Sequence, residues 1–165
     1  MRRIALIALC AGLSGCGSTK LRSVQPRQAT SILVHKAERR LRLMDGDSEL
    51  KAFDIALGRN PVGPKVQEWD GKTPEGAYYT TYRNSQSRYH LSIGVSYPST
   101  EDVARAHAMG VSPGSDIYIH GQPQGIGGRA RIQGDWTAGC IAVSNADMEQ
   151  IFAMVQGGIP IFIHA

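Results

Sequence analysis

Apolar residues recurring two positions apart constrain this chain more than any other feature. Ile32 and Val34 make the first such pair, Leu41 and Leu43 the second, and Phe53, Ile55 and Leu57 a third set. A period of two puts the repeating side chains on one face of a strand, so each segment reads as a half-buried strand. Asp45-Gly46 between the second and third sets is a tight-turn signal, and the three segments predict an antiparallel meander. Further short strands are predicted around 77–82, 89–93, 116–120 and 159–163. Two helices are marked differently. Ser99-Thr100-Glu101-Asp102 opens one with a capping residue and early acidic side chains, and it runs to about Met109 before Gly110. Ser144-Asn145-Ala146-Asp147 has capping-box spacing, with Asp in place of the usual Glu. Met148, Ile151, Phe152 and Val155 then share one helical face until Gly157-Gly158 ends the run. The expected fold is mainly β with two short helices.

A length of 165 residues favours one domain, and neither an internal repeat nor a second core is visible. The N-terminus is a separate matter. Arg2 and Arg3 precede the eight-residue apolar run from Ile4 to Ala11. That run is too short for a membrane-spanning helix of about 20 residues and reads as a secretory signal, to be set apart from the fold. Leu13-Ser14-Gly15-Cys16 resembles the bacterial lipobox, which implies that Cys16 becomes the lipidated first residue of the mature chain. Gly17-Ser18 follows without an aspartate, so the resemblance further implies the periplasmic face of an outer membrane, with several acyl chains for stable anchoring. The expected organisation is a signal over 1–15, a lipid-anchored tether over 16–30 and a domain over 31–165. The formal charge of +4 is mild and spread along the chain, which argues against a nucleic-acid partner.

Three cysteines are too few for a disulfide framework or a four-thiolate zinc site. Cys10 leaves with the signal and Cys16 carries the lipid, so one free thiol remains, Cys140. It lies in Asp135-Trp136-Thr137-Ala138-Gly139-Cys140, where Gly139 permits a tight bend and the following amides can face a developing oxyanion. Ile117-Tyr118-Ile119-His120-Gly121 is an alternating strand that ends in a histidine and opens a loop containing Gly125, Gly127 and Gly128. A histidine at a strand end can activate a cysteine nucleophile. A thiol held as thiolate by that histidine is expected to titrate below the usual cysteine value.

His120-Gly121 followed by Thr137-Ala138-Gly139-Cys140 resembles the signature of the YkuD-type L,D-transpeptidases. Thr73-Pro74-Glu75-Gly76-Ala77-Tyr78, Arg88-Tyr89-His90-Leu91-Ser92-Ile93 and Ser112-Pro113-Gly114-Ser115-Asp116-Ile117 agree with it, and the likeness extends from about Ile32 to the C-terminus. It implies an L,D-transpeptidase-like β-sandwich or barrel in which Cys140 is the nucleophile, His120 the general base, and the Gly121 carbonyl the group that orients the base. Gly139 and Cys140 would supply oxyanion amides, with Trp136 and Thr137 beside the substrate. The implied reaction is acyl transfer from the diaminopimelate–D-Ala bond of a peptidoglycan tetrapeptide stem to an amine. Its product is a 3-3 crosslink or a wall-attached protein, and no metal or organic cofactor is required.

Ala138 and Ala142 depart from the family, where histidine and Arg or Asn are common. Arg129 or Arg131 is therefore expected to hold the substrate group that the residue at 142 would otherwise meet. Three other readings stand beside this one. Water could take the acyl group, making an L,D-carboxypeptidase or a hydrolase that releases wall-attached protein. A zinc hydrolase could use His120, Cys140 and Asp116 or His164, although no close ligand pair is visible. A lipoprotein that only binds the wall would keep Cys140 as core filler.

Overall fold

The structure is a computed structural model that describes residues 26–165. The signal-like segment, Cys16 and the first part of the expected tether lie outside the described residues. Residues 26–30 do not behave as a tether. Ala29 is buried and its amide donates to Met154 O at 2.8 Å, while the Thr30 amide donates to Met44 O at 2.7 Å. The packed domain thus begins before Ser31.

The meander is present as β1 (Ser31–His35), β2 (Arg40–Asp45) and β3 (Ser48–Asp54), each antiparallel to the next. The β2–β3 hairpin turns on Gly46 and Asp47, one residue later than expected. Gly46 takes φ +57°, the left-handed conformation that a two-residue hairpin favours glycine for. β3 also ends earlier than the apolar spacing implies. Ile55 and Leu57 are buried, but they lie past the strand, in a segment that pairs with residues 137–142. The remaining strands are β4 (Gly76–Ser87), β5 (His90–Val95), β6 (Tyr118–His120), β7 (Ile141–Ala142) and β8 (Pro160–His164). Only β7, two residues long, has no counterpart in the sequence reading.

The eight strands of the described residues form one sheet in the order β3-β2-β1-β8-β4-β5-β6-β7. β4 is the shared strand, paired with β8 through its first residues and with β5 through the rest. The order also folds back on itself. Ala56, just past β3 at one edge, bridges Ala142 of β7 at the other. Cross-strand register stacks the apolar face: Ile32 lies opposite Leu43 and Ile161, and Val34 opposite Leu41 and Ile163. These residues form a continuous core with Ile93, Ile119 and Ile141.

The two helices are α1 (Thr100–Ala108) and α2 (Asn145–Met154), capped by Ser99 and Ser144. The full capping box occurs in α1, where Asp102 also receives the Tyr78 hydroxyl at 2.8 Å. In α2 the Asp147 carboxylate instead accepts the Ser144 hydroxyl at 2.6 Å. Met148, Ile151 and Val155 face the core as expected, and Phe152 packs against its edge.

Lys36, directly after β1, is 2% exposed yet ionisable. Burial pushes its pKa below the usual lysine value, opposed by Glu75. Its ammonium donates to Gly63 O at 2.8 Å, Thr73 O at 2.9 Å and Glu75 Oε1 at 2.8 Å, which uses all three protons. Removing one partner of a buried pair strands the other. Lys36→Met is therefore expected to lower unfolding free energy by about 3 kcal/mol in a denaturant titration. A loss below about 1 kcal/mol, the level of an exposed pair, would contradict this reading.

Candidate active site

β6 and β7 are parallel, with Ile119 opposite Ile141 and His120 opposite Ala142. Parallel neighbours need a long connection, and residues 121–140 supply it. The same register places Cys140 level with Tyr118. Alternation then sends Ile119 and Ile141 to the core, and Tyr118, His120 and Cys140 to the opposite face. Buried Gln122 fastens the connection by donating to Val143 O at 2.6 Å and accepting from the Ile132 amide at 2.9 Å.

His120 is 4% exposed, and its Nδ1 lies 2.7 Å from Gly121 O. A carbonyl can only accept, so Nδ1 carries the proton and Nε2 is the basic atom. Tyr89 stacks against the ring at 4.5 Å, and Trp136 meets it edge-on at 5.7 Å. Burial pushes the imidazole pKa below its usual value, partly offset by the Gly121 hydrogen bond. The ring is neutral at neutral pH, as a general base must be.

The turn before Cys140 is fixed from three sides. Thr137 Oγ1 donates to Cys140 O at 2.7 Å and accepts from the Gly139 amide at 3.1 Å. Gly139 has φ +141°, and a Cβ there would sit 2.6 Å from Lys72 O, so no other residue fits. Asp135 accepts from the Leu57 amide at 2.9 Å and pairs with Arg39, Nη2 to Oδ2 at 2.7 Å. The Gly139 amide, an expected oxyanion donor, rests on Thr137 Oγ1 in this structure. The Cys140 amide is the donor that remains of the two.

The thiol also departs from expectation. Half-buried Cys140 donates through Sγ to Asp116 O at 3.5 Å. Burial pushes its pKa up, the Asp116 carboxylate adds to this, and the Tyr118 amide and Lys65 oppose it. The resting pair is neutral thiol and neutral imidazole, because burial disfavours the charged form of each.

Cys140, His120, Trp136 and Thr137 line one cavity of about 510 Å³. Arg129 and Arg131 are not brought there. Arg131 donates to Asp54 O at 2.9 Å and lines a different cavity, and Arg129 is exposed on the connecting loop. The guanidinium groups in the Cys140 cavity belong to Arg59 and Arg88 instead, beside Tyr82 and Tyr89. Arg88-Tyr89 belongs to a stretch quoted above for the resemblance, while Arg59 carries no motif. A second cavity of about 270 Å³ also reaches Cys140, lined by Lys65, Glu68, Trp69 and Asp116. His164 lies on β8 and stacks against His35 at 5.3 Å, and it lines neither cavity.

Residues 29–163 match the L,D-transpeptidase catalytic domain family known as YkuD. YafK of Escherichia coli K12, named as a candidate L,D-transpeptidase, is 31% identical over 96% of this chain and 66% of its own length. Among solved structures, the helical cell shape determining protein Pgp2 of Campylobacter jejuni superposes with a TM-score of 0.64 at 28% identity, over 81% of this chain and 46% of that one. L,D-transpeptidase 1 of Mycobacterium tuberculosis shares the fold, with a TM-score of 0.52 at 15% identity, over 83% of this chain and 62% of that one. The chain spans about half the length of the Campylobacter protein.

The neutral resting thiol sets a pH dependence. Alkylation of Cys140 by iodoacetamide, followed on its tryptic peptide, is expected to be half-maximal above about pH 8.5, the ordinary cysteine value. A half-maximum below that value would show a preformed thiolate and contradict this reading.

Proposed function

This chain belongs to the L,D-transpeptidase catalytic domain family, and from that premise we propose that it is a cysteine acyltransferase acting on peptidoglycan tetrapeptide stems. The observation that carries the reading is the pairing of Cys140 with a buried His120 in one cavity, the imidazole fixed by Gly121 so that Nε2 is its basic atom. The Cys140 sulfur attacks the carbonyl of the diaminopimelate L-centre. The thiol proton passes to His120 Nε2 and from there to the departing D-Ala nitrogen. A C–S bond forms and the C–N bond breaks, leaving a thioester. An acceptor amine then attacks the thioester and gives its proton to His120, which passes it to the departing Cys140 sulfur as the C–S bond breaks, forming the 3-3 crosslink or attaching a protein and restoring the resting pair.

Charge supports the direction of each partner's approach. The larger cavity carries Arg59 and Arg88 and no carboxylate, which suits a donor stem bearing carboxylates. The smaller cavity carries Glu68 and Asp116 with exposed Trp69, which suits an amine. The Lys65 ammonium in that cavity is committed to Asp70 at 2.8 Å. A donor-stem amide would also give an acceptor to the buried Trp136 indole N–H, which has none among the described residues. The lipid anchor at Cys16, and with it the periplasmic face of an outer membrane, belongs to this proposal on the sequence alone.

Incubating the protein with tetrapeptide muropeptides tests the reading. Cys140→Ala should abolish release of D-Ala, and His120→Gln should slow it by about 100-fold or more. Arg59→Gln and Arg88→Gln should each raise KM for the donor by about tenfold with little change in kcat. Turnover by Cys140→Ala equal to the parent would overturn the proposal. Crosslinked product separates a transpeptidase from a hydrolase, because D-Ala released without a crosslink assigns the acyl group to water.

A further inference from the structure

Asp116 is the residue in the site whose presence the acyl-transfer chemistry leaves unexplained. We propose that Asp116 is a positioning residue for the nucleophile. Its main-chain carbonyl, aimed by a left-handed backbone, holds the resting thiol. Its carboxylate, pinned by Tyr118 and Ser115, fixes that backbone. This inference rests on reading Cys140 as the nucleophile.

Three observations meet at this residue. Asp116 has φ +61°, a conformation that L-residues other than Asn and Asp rarely take and that is held only where surroundings enforce it. Its carbonyl accepts the Cys140 thiol at 3.5 Å. Its carboxylate accepts the Tyr118 hydroxyl on Oδ1 and the Ser115 hydroxyl on Oδ2, both at 3.0 Å.

Proton accounting extends the chain further. A carboxylate cannot donate, so the single Tyr118 hydroxyl proton is committed to Asp116. The 3.0 Å contact between the Tyr118 and Tyr82 hydroxyls must then be donated by Tyr82. Tyr82 is 58% exposed on the wall of the larger cavity. A directed series of hydrogen bonds therefore runs from the cleft wall to the residue holding the thiol.

The charges around Cys140 give this arrangement a measurable effect. The Asp116 carboxylate opposes thiolate formation, whereas Lys65 and the Tyr118 amide favour it. The Lys65 ammonium is itself bonded to Asp70 and Gln67 O, and His120 is neutral. Asp116 is thus the only one of these groups that is both a direct partner of the thiol and a negative charge. At rest the thiol sits on an oxygen that cannot take its proton, and attack requires it to turn to His120.

The test compares Asp116→Asn with Tyr118→Phe in the full chain, by the pH profile of iodoacetamide alkylation on the Cys140 peptide and by thermal melting. Asn tolerates the left-handed backbone, keeps one accepting oxygen for Tyr118 and removes the charge, so the half-maximum is expected to fall by about half a pH unit. Phe removes the hydroxyl whose hydrogen bond disperses the carboxylate's charge, so the half-maximum is expected to rise. Opposite shifts at melting temperatures near the parent's support the proposal. An unchanged profile in Asp116→Asn, or shifts of the same sign in both variants, would overturn it. Should Asp116→Asn melt early, Asp116→Gly takes its place, since glycine accepts φ +61° and also lacks the charge. Alkylation needs no peptide substrate. Opposite shifts without D-Ala release would leave the hold of Asp116 on the Cys140 thiol standing and overturn the proposed function, whereas D-Ala release with an unchanged profile would overturn that hold and leave the function standing.

Discussion

Residues 56–59 bind both flanks of the turn that carries Cys140, and most of the site depends on that contact. Ala56 and Ala142 exchange two backbone hydrogen bonds of 2.8 Å. The Thr137 amide donates to Leu57 O at 3.1 Å, and the Arg59 amide returns to Thr137 O at 3.0 Å. Asp135 holds the middle of the segment through the Leu57 amide. Cys140 lies between residues whose backbones are fixed on both sides, so its thiol starts from a set position. The same contact closes the strand order by joining the end of β3 to β7. The packing of the domain and the placing of Cys140 therefore share one set of hydrogen bonds.

Burial then decides the charge state of Cys140 and His120. It pushes His120 down and Cys140 up, and both effects favour neutral groups. A neutral imidazole with its Nδ1 proton on Gly121 is ready to accept a proton, while a neutral thiol is a poor nucleophile until that transfer occurs. Activation is thereby tied to the moment of attack. The cationic wall of the larger cavity does not offset this, since Arg59 and Arg88 are both exposed to solvent.

The strands of the first meander were legible because apolar period and burial coincide in Ile32, Val34, Leu41 and Leu43. Ile55 and Leu57 share that period, but their backbone partners come from residues 137–142, far along the chain, and no local pattern reveals this. His120 and Cys140 were legible from chemistry, as a strand-end histidine and a lone thiol. The cleft arginines were not. Arg129 and Arg131 stand near Cys140 in sequence, while Arg59 reaches the cleft only because its amide pairs with Thr137. The raised thiol pKa has no local signal for a related reason: it depends first on burial and also on Asp116, and the fold sets both. The full capping box of α1 was written in Ser99 and Asp102, one turn apart, and could have been read.

The central claim is that Cys140 forms a thioester with a stem peptide under activation by His120. Intact-mass spectrometry of the protein mixed with a tetrapeptide stem, quenched in acid within the first turnover, tests it most directly. The account predicts an adduct equal to the stem without its terminal D-Ala, located on the Cys140 peptide and absent from Cys140→Ala. D-Ala released with no adduct at any quench time, or an adduct on another residue, would contradict it.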